Sequence, residues 1–383
     1  VSAAPQVGLR GPGGAPTPGA AFFRAVAPSV HGAVDPAALR AEGVDPAALT
    51  DFSSNQSPLG AAPGVAAAVA GAVVDAYPDP HAAELTGRLA ERHGVSPAQV
   101  VCGNGSTELI RLVAQLALAP GDVAVSLAPS FGECGVATRL ASARFEEVRL
   151  VHAGEGASFF CDEPALRAAL TDLRPRLCWL CSPNNPTGAA LPAALIAGLV
   201  ADFPATLFVL DEAYCDLLPE TQWQADLLAA GNLLVLHSMT KYWGLAGLRL
   251  GHAVAEPGLA AALRAAAPPW SVNACAQAAG VAALADLEHH RRSVALLTGE
   301  RDRLVAGLRA RGWVTEPTTA GFFLIHVGDA PAARRALLAQ GCLVRDCTSF
   351  GLPKYVRVSP RHPAQNDLLL EAFAALTPPR PAE

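Results

Sequence analysis

Lysine is nearly missing from this chain: of 28 Lys and Arg residues among 383, only Lys241 and Lys354 are lysines, which leaves 28 − 2 = 26 arginines. Lys241 stands in Ser238-Met239-Thr240-Lys241-Tyr242-Trp243-Gly244, directly after the apolar run 233–236. Where arginine serves almost every basic position, a lysine reads as chosen for its amine, which can condense with a carbonyl group. Asp211 precedes it by thirty residues, at the end of the apolar run 207–210, and Arg249 follows it by eight. An acid at one strand end, a lysine after the next strand and a later arginine match the needs of a pyridoxal phosphate (PLP) site. The lysine would form a Schiff base, the acid would face the pyridinium nitrogen, and the arginine would clamp the phosphate. Lys241 taken alone reads equally well as a surface lysine with unrelated charged neighbours.

Two further motifs fit the same chemistry. Gly103-Asn104-Gly105-Ser106-Thr107-Glu108 follows an expected strand and opens an expected helix. Free N–H groups and the helix dipole make such a junction an anion site, to which Ser106 and Thr107 add hydroxyls. By itself the same motif also describes an ordinary capped helix after a glycine turn. Ser182-Pro183-Asn184-Asn185-Pro186-Thr187-Gly188 follows another strand end, where Asn185 could donate to an anionic ring oxygen. Tyr214, in Asp211-Glu212-Ala213-Tyr214, is spaced to reach that same oxygen. Ligands of open α/β sheets gather at the carboxyl ends of strands, and these motifs all fall there.

The elements that must position them alternate. Helices are expected near 63–74, 81–93, 106–118, 131–141, 163–172 and 192–202. Strands are expected near 99–102, 122–127, 145–150, 177–182, 206–211, 233–237 and 250–255. Strands separated by helices argue for a mostly parallel, helix-covered sheet. A long helical stretch over 275–310 leads to a mixed region with the character of a smaller second lobe. Short helices punctuated by Pro36 and Pro46 precede the polar loop 51–60, and no internal repeat is visible.

Composition narrows the classes. A chain of 383 residues exceeds one hydrophobic core, so two lobes are expected. With 51% hydrophobic and 16% charged residues it suits a compact enzyme. A net charge of −6 offers no basic surface for nucleic acid or anionic lipid. No apolar run is long enough to span a membrane, and the start lacks the pattern of a signal peptide. Nine cysteines without framework spacing suit a reducing cytoplasm. Cys178 and Cys181 form a C-x-x-C pair, but inside a strand residues three apart face opposite sides, so they read as core residues and no metal site is expected.

From about residue 28 onward the chain resembles the fold-type I PLP enzymes of the class I/II aminotransferase superfamily. Within these it is most similar to the L-threonine-O-3-phosphate decarboxylases of cobalamin biosynthesis, sisters of the histidinol-phosphate aminotransferases. The finer likeness rests on His31-Gly32, Asp51-Phe52-Ser53-Ser54-Asn55, Pro58-Leu59-Gly60, Gly103-Asn104-Gly105 and Pro269-Trp270-Ser271-Val272-Asn273. One departure is Gln56-Ser57, where the decarboxylases carry an apolar residue and a small amide.

The resemblance implies an α/β fold with a large PLP-binding domain at 51–270 and a smaller α+β domain at 271–383. The Gly-, Pro- and Ala-rich start reads by composition as a disordered leader, placed at 1–27, and a segment at 28–50 would pack on the small domain. Lys241 would be the Schiff-base lysine and Asp211 the pyridinium partner, with Asn185 and Tyr214 on the ring oxygen. Gly105, Ser106, Thr107, Ser238 and Arg249 would hold the phosphate, and Phe131 would stack on the ring or else sit in the core. Tyr77 would reach the cofactor of a neighbouring subunit, which implies a homodimer with shared sites. Arg357 would clamp a substrate carboxylate and Arg345 a substrate phosphate, with His31 and Asn55 beside it; His31 reads as readily as an exposed loop residue.

The reaction depends on which bond at the substrate's Cα stands perpendicular to the ring. With Cα–H so placed, Lys241 acts as base and the outcome is amino transfer; with the carboxylate so placed, the outcome is decarboxylation. The likeness favours decarboxylation of L-threonine O-3-phosphate to (R)-1-amino-2-propanol phosphate. Amino transfer from histidinol phosphate or a related amino acid to 2-oxoglutarate is the alternative. A non-catalytic binding module is disfavoured by the intact Lys241, Asp211 and Arg249.

Overall fold

The computed structural model describes residues 26–218, 223 and 225–379, so the leader expected over 1–27 lies outside it save for its last two residues. Seven strands form the central sheet: β1 (Val100–Asn104), β2 (Val123–Ala128), β3 (Arg144–Arg149), β4 (Leu177–Cys181), β5 (Leu207–Asp211), β6 (Leu233–Ser238) and β7 (Leu250–Ala255). Their order is β1-β7-β6-β5-β4-β2-β3. β7 runs antiparallel to both neighbours, while the remaining pairs are parallel. The sheet is therefore mostly parallel, as the alternation of elements predicts.

β4, β6 and β7 are buried at every residue, which explains why they read as unbroken apolar runs: helices cover both faces. Alternate residues supply two separate cores. Cys178, Leu180, Phe208 and Leu210 pack with Leu166, Ile196 and Leu199 on one face. Leu177, Trp179, Val209 and Leu236 pack with Leu109, Ile110 and Leu263 on the other. Full burial of each large apolar side chain contributes about 1.5–3 kcal/mol, so a one-residue slip that exchanged the faces is heavily disfavoured. Cys178 belongs to the first core, Cys181 is buried as well, and all nine cysteines are free thiols.

A second, antiparallel sheet comprises β8 (Val314–Thr315), β9 (Phe323–His326), β10 (Arg345–Asp346) and β11 (Tyr355–Val358), in the order β8-β9-β11-β10. The expected helical stretch 275–310 is two helices, Ala274–Ala285 and Leu287–Arg309. Asp286 separates them: its side chain accepts from His289 N and so caps the second helix rather than continuing the first. Near the start, Thr50–Asp51 pairs in parallel with Cys342–Leu343, and Leu39 packs with Leu338 and Leu343. Among the described residues no helix is long and apolar enough to cross a membrane.

Candidate active site

A cleft of about 660 Å³ opens where β4, β5 and β6 end and the residues around 31, 55 and 350 close in. Ten of the expected site residues line it: His31, Asn55, Thr107, Phe131, Asn185, Tyr214, Lys241, Arg249, Arg345 and Arg357. Lys241 lies just beyond β6, its Nζ 6.0 Å from the centre of the Tyr214 ring.

Asp211 ends β5 and is 5% exposed. Burial pushes its carboxyl up to about 6, against a backbone hydrogen bond from Ala213 (3.0 Å) and the positive field of Lys241. An enclosed acid with so little compensation suits a cationic N–H partner.

The junction expected to hold a phosphate has a defined geometry. Gly105 has φ +76° and precedes a helix, Ser106–Ala117, whose first turn has no side-chain cap. A Cβ on Gly105 would meet Arg249 Nη2 at 2.7 Å, and one on Gly251 would meet Ser106 N at 2.5 Å. Two glycines thus bring a guanidinium and β7 against a bare helix N-terminus, which is an anion site. Ser238 does not line the cleft; its hydroxyl pairs at 2.7 Å with that of Thr240, which does. Thr240, absent from the expected set, follows Ser238 by two residues in the same motif.

The Asp-Phe-Ser-Ser-Asn motif has a structural logic. The Asp51 carboxylate accepts from Ser53 N (2.8 Å), Ser53 Oγ (2.6 Å), Ser54 N (3.2 Å) and Ser54 Oγ (2.5 Å). That folded turn carries Asn55, whose Nδ2 donates to Tyr214 O–H at 3.1 Å and fixes the phenol. Gln56 lines the cleft as well, while Ser57 turns away to Ser293 Oγ.

Arg345 and Arg357 stand directly opposite each other on β10 and β11. They are 7% and 4% exposed, and neither has a carboxylate within ion-pair distance among the described residues. Arg357 donates to Asn185 Oδ1 and, at 2.7 Å, to Ser53 O; Arg345 donates to Val30 O (2.8 Å) and Ser349 Oγ (2.7 Å). The Nε of each has no hydrogen-bond partner. Gly32 lies so close that a Cβ there would meet Ser53 O at 2.6 Å and Arg357 Nη2 at 3.2 Å.

His31 Nε2 donates to Glu133 Oε1 at 3.0 Å, and Arg111 Nη2 donates to Glu133 Oε2 at 2.6 Å. The His31 ring sits 5.8 Å from that of Phe131, which itself packs against the core while lining the cleft. Glu133 and Arg111 were not among the expected residues; the signal was Glu133 directly after Pro129-Ser130-Phe131-Gly132. Tyr77 lies outside this cleft, 78% exposed and stacked on Trp270 at 4.3 Å.

With an acid for the pyridinium nitrogen, a cradle for the phosphate, hydroxyl and amide donors for the ring oxygen and an amine within the cleft, the residues fit PLP. The family model for class I and II aminotransferases matches residues 47–373. Histidinol-phosphate aminotransferase 2 of Ralstonia nicotianae is 36% identical over 365 residues, covering 93% of this chain and 96% of that one. The crystal structure of histidinol-phosphate aminotransferase from Sinorhizobium meliloti in complex with pyridoxal-5'-phosphate superposes with a TM-score of 0.79 at 25% identity, over 90% of this chain and 94% of that one. L-threonine-O-3-phosphate decarboxylase from Porphyromonas gingivalis gives a TM-score of 0.73 at 28% identity, over 85% and 98%. This chain therefore belongs to the class I and II aminotransferase family.

Proposed function

We propose that this enzyme transfers an amino group from a phosphorylated primary amine to a keto acid such as 2-oxoglutarate, with histidinol phosphate as the leading donor. The observation that carries the reading is the Arg345–Arg357 pair, two buried cations side by side with no carboxylate in ion-pair distance among the described residues. Like charges so placed repel in a low dielectric, and the pair is relieved only by anions. A substrate phosphate in one half-reaction and the carboxylates of the keto acid in the other supply them in turn. Planar guanidinium forks suit both groups. The donor carbon becomes a carbonyl as the keto acid becomes an amino acid, so the two halves balance without an outside oxidant.

PLP, when bound, supplies the electron sink at the substrate's Cα. The chain supplies the rest. Asp211 holds a proton on the nitrogen that faces it. The Ser106 helix N-terminus, Thr107 and Arg249 hold the phosphate. Tyr214, oriented by Asn55, and Asn185 hold the ring oxygen. Lys241 takes the proton from Cα and returns it on the far side of the transfer. His31 and Phe131 flank the cleft mouth, with Glu133 fixing the imidazole.

The expectation of phosphothreonine decarboxylation is the weaker of the two. The more similar full-length relative bears an aminotransferase name, and the decarboxylase enters as a structural neighbour. We further propose that two copies pair so that Tyr77 of each serves the other's site, in a cytoplasm where nine free thiols remain reduced.

The deciding experiment incubates PLP-loaded protein with histidinol phosphate or phosphothreonine, with and without 2-oxoglutarate, following glutamate and CO₂. Glutamate formed from histidinol phosphate is the expected result. CO₂ from phosphothreonine without the keto acid would replace this reading with the decarboxylase.

A further inference from the structure

Behind the strands that carry Asp211 and Lys241 lies a second cleft of about 600 Å³, unused by the reaction above. Consecutive strand residues face opposite ways, so Glu212 and His237 turn from the cofactor side to this one. His237 on β6 and His252 on β7 are direct cross-strand partners, which sets their imidazoles together at 4.8 Å with 19° between planes. The helix Ala83–His93 delivers a third: His93 lies 4.5 Å from the His237 ring and 5.0 Å from that of His252, with Nε2 atoms of His93 and His252 2.8 Å apart. One ring nitrogen from each of the three can be chosen so that all lie within 4.8 Å of one another.

Two more donors adjoin them. Glu212 Oε2 is 3.8 Å from His237 Nε2 and is steadied by Trp223 Nε1 at 3.0 Å. Cys215 Sγ is 3.8 Å from His237 Nδ1. His237, His252 and Glu212 are 8%, 4% and 3% exposed, yet His237 Nε2, His252 Nδ1 and Glu212 Oε1 have no hydrogen-bond partner. Three uncompensated polar atoms in one buried cluster are costly unless something binds them.

We propose that His93, His237 and His252 bind a divalent transition-metal ion of the zinc class, with Glu212 and Cys215 as the neighbouring donors. Imidazole, thiol and carboxylate together suit zinc or cobalt, whereas magnesium and calcium take all-oxygen sets. Zinc–nitrogen bonds of about 2.0–2.1 Å in a tetrahedron place nitrogens about 3.3 Å apart, so the present spacing needs shifts of about 1 Å. Arg92 also faces this cleft and opposes a cation, but Asp216 pairs with it at 3.7 Å and with His290 at 3.1 Å. The donors come from residues 93, 212, 215, 237 and 252, a spacing that no sequence motif announces. The ion would tie β5, β6 and β7 to the helix Ala83–His93 and thereby brace the strands bearing Asp211 and Lys241.

The test uses PLP-loaded full-length protein, stripped with a chelator and titrated calorimetrically with Zn²⁺. Parallel samples receive Co²⁺, whose visible d–d bands report tetrahedral nitrogen and sulfur ligation. Expected are one ion per chain, a higher thermal midpoint with Zn²⁺, and binding at least tenfold weaker in both His93→Gln and His252→Phe. The cofactor's own absorbance should persist in both variants. Should His252→Phe fail to fold, His93→Gln, at the half-buried helix end, decides alone. Absence of stoichiometric binding by the wild type, or equal binding by the folded variants, overturns the proposal.

Discussion

A carboxylate enclosed as completely as that of Asp211 is held toward its protonated form until a cation faces it. Its folded value, about 6, exceeds the ordinary 3.8, so its contribution to stability is full below about pH 4 and is lost as pH rises through 6. A displacement of that size corresponds to about 3 kcal/mol as an order of magnitude. Cofactor-free protein suffers this loss, whereas a pyridinium N–H opposite Asp211 prevents it. Glu212, raised to about 7 by burial, contributes in both forms, so the comparison with Asp211→Asn is what isolates the Asp211 part. The thermal midpoint gap between loaded and cofactor-free protein should therefore widen from about pH 4 to about pH 6.5 and level off above that, and Asp211→Asn should flatten it. A gap equally pH-dependent in the variant would refute the pairing. Residues such as Asp211, Lys241 and Arg249 were legible because each sits in a short motif at a strand end. Glu133 was not, because what defines it comes from far along the chain: Arg111 lies 22 residues away and His31 lies 102. Asn55 could be read from its loop, but its hold on Tyr214, 159 residues distant, could not.

The inner strands of the central sheet, β4 to β7, were visible as apolar runs because burial on both faces leaves little polar alternation, whereas the edge strand β3, Arg-Phe-Glu-Glu-Val-Arg, is charged and has no fully buried residue. The break at Asp286 was hidden, since one capping aspartate within a long helical pattern competes with strong helix formers on either side. On the proposed reading, the junction of β1 with its helix brings backbone N–H groups, alongside Thr107 and Arg249, to the phosphate, and this makes a prediction about backbone. Gly105→Ala forces a side chain into φ +76° and drives its Cβ against the Arg249 guanidinium. Gly105, at ψ 160°, lies in a backbone region open essentially to glycine alone, so the conformational cost is about 1–3 kcal/mol, and the displaced arginine adds to it. PLP affinity, followed by absorbance titration, should fall at least tenfold. Gly247→Ala, where an added Cβ meets nothing within 4 Å, should leave affinity unchanged. Equal effects from the two substitutions would show that the Gly105 turn does not shape the cradle.

At the scale of the whole molecule, one face is hard to reconcile with an isolated chain. Val73, Val74, Tyr77 and Trp270 are 61%, 78%, 78% and 43% exposed, and the stacked Tyr77–Trp270 pair stands among them. Large apolar groups clustered in this way mark an association surface. Tyr77 belongs to no part of its own cleft, which agrees with the proposal that it completes the site of a second copy. If so, assembly and cofactor binding are linked: whatever separates the copies also removes a phosphate ligand from each. A charge at Val74 tests this without touching a residue of the cleft. Val74→Asp should shift the protein from twice the chain mass to the chain mass by light scattering, and should weaken PLP binding several-fold at the same time. Retained folding would appear as an unchanged far-ultraviolet circular dichroism spectrum. A wild-type protein that is monomeric while binding PLP tightly would separate the two sites, and Tyr77 would then be a surface residue of a self-sufficient enzyme.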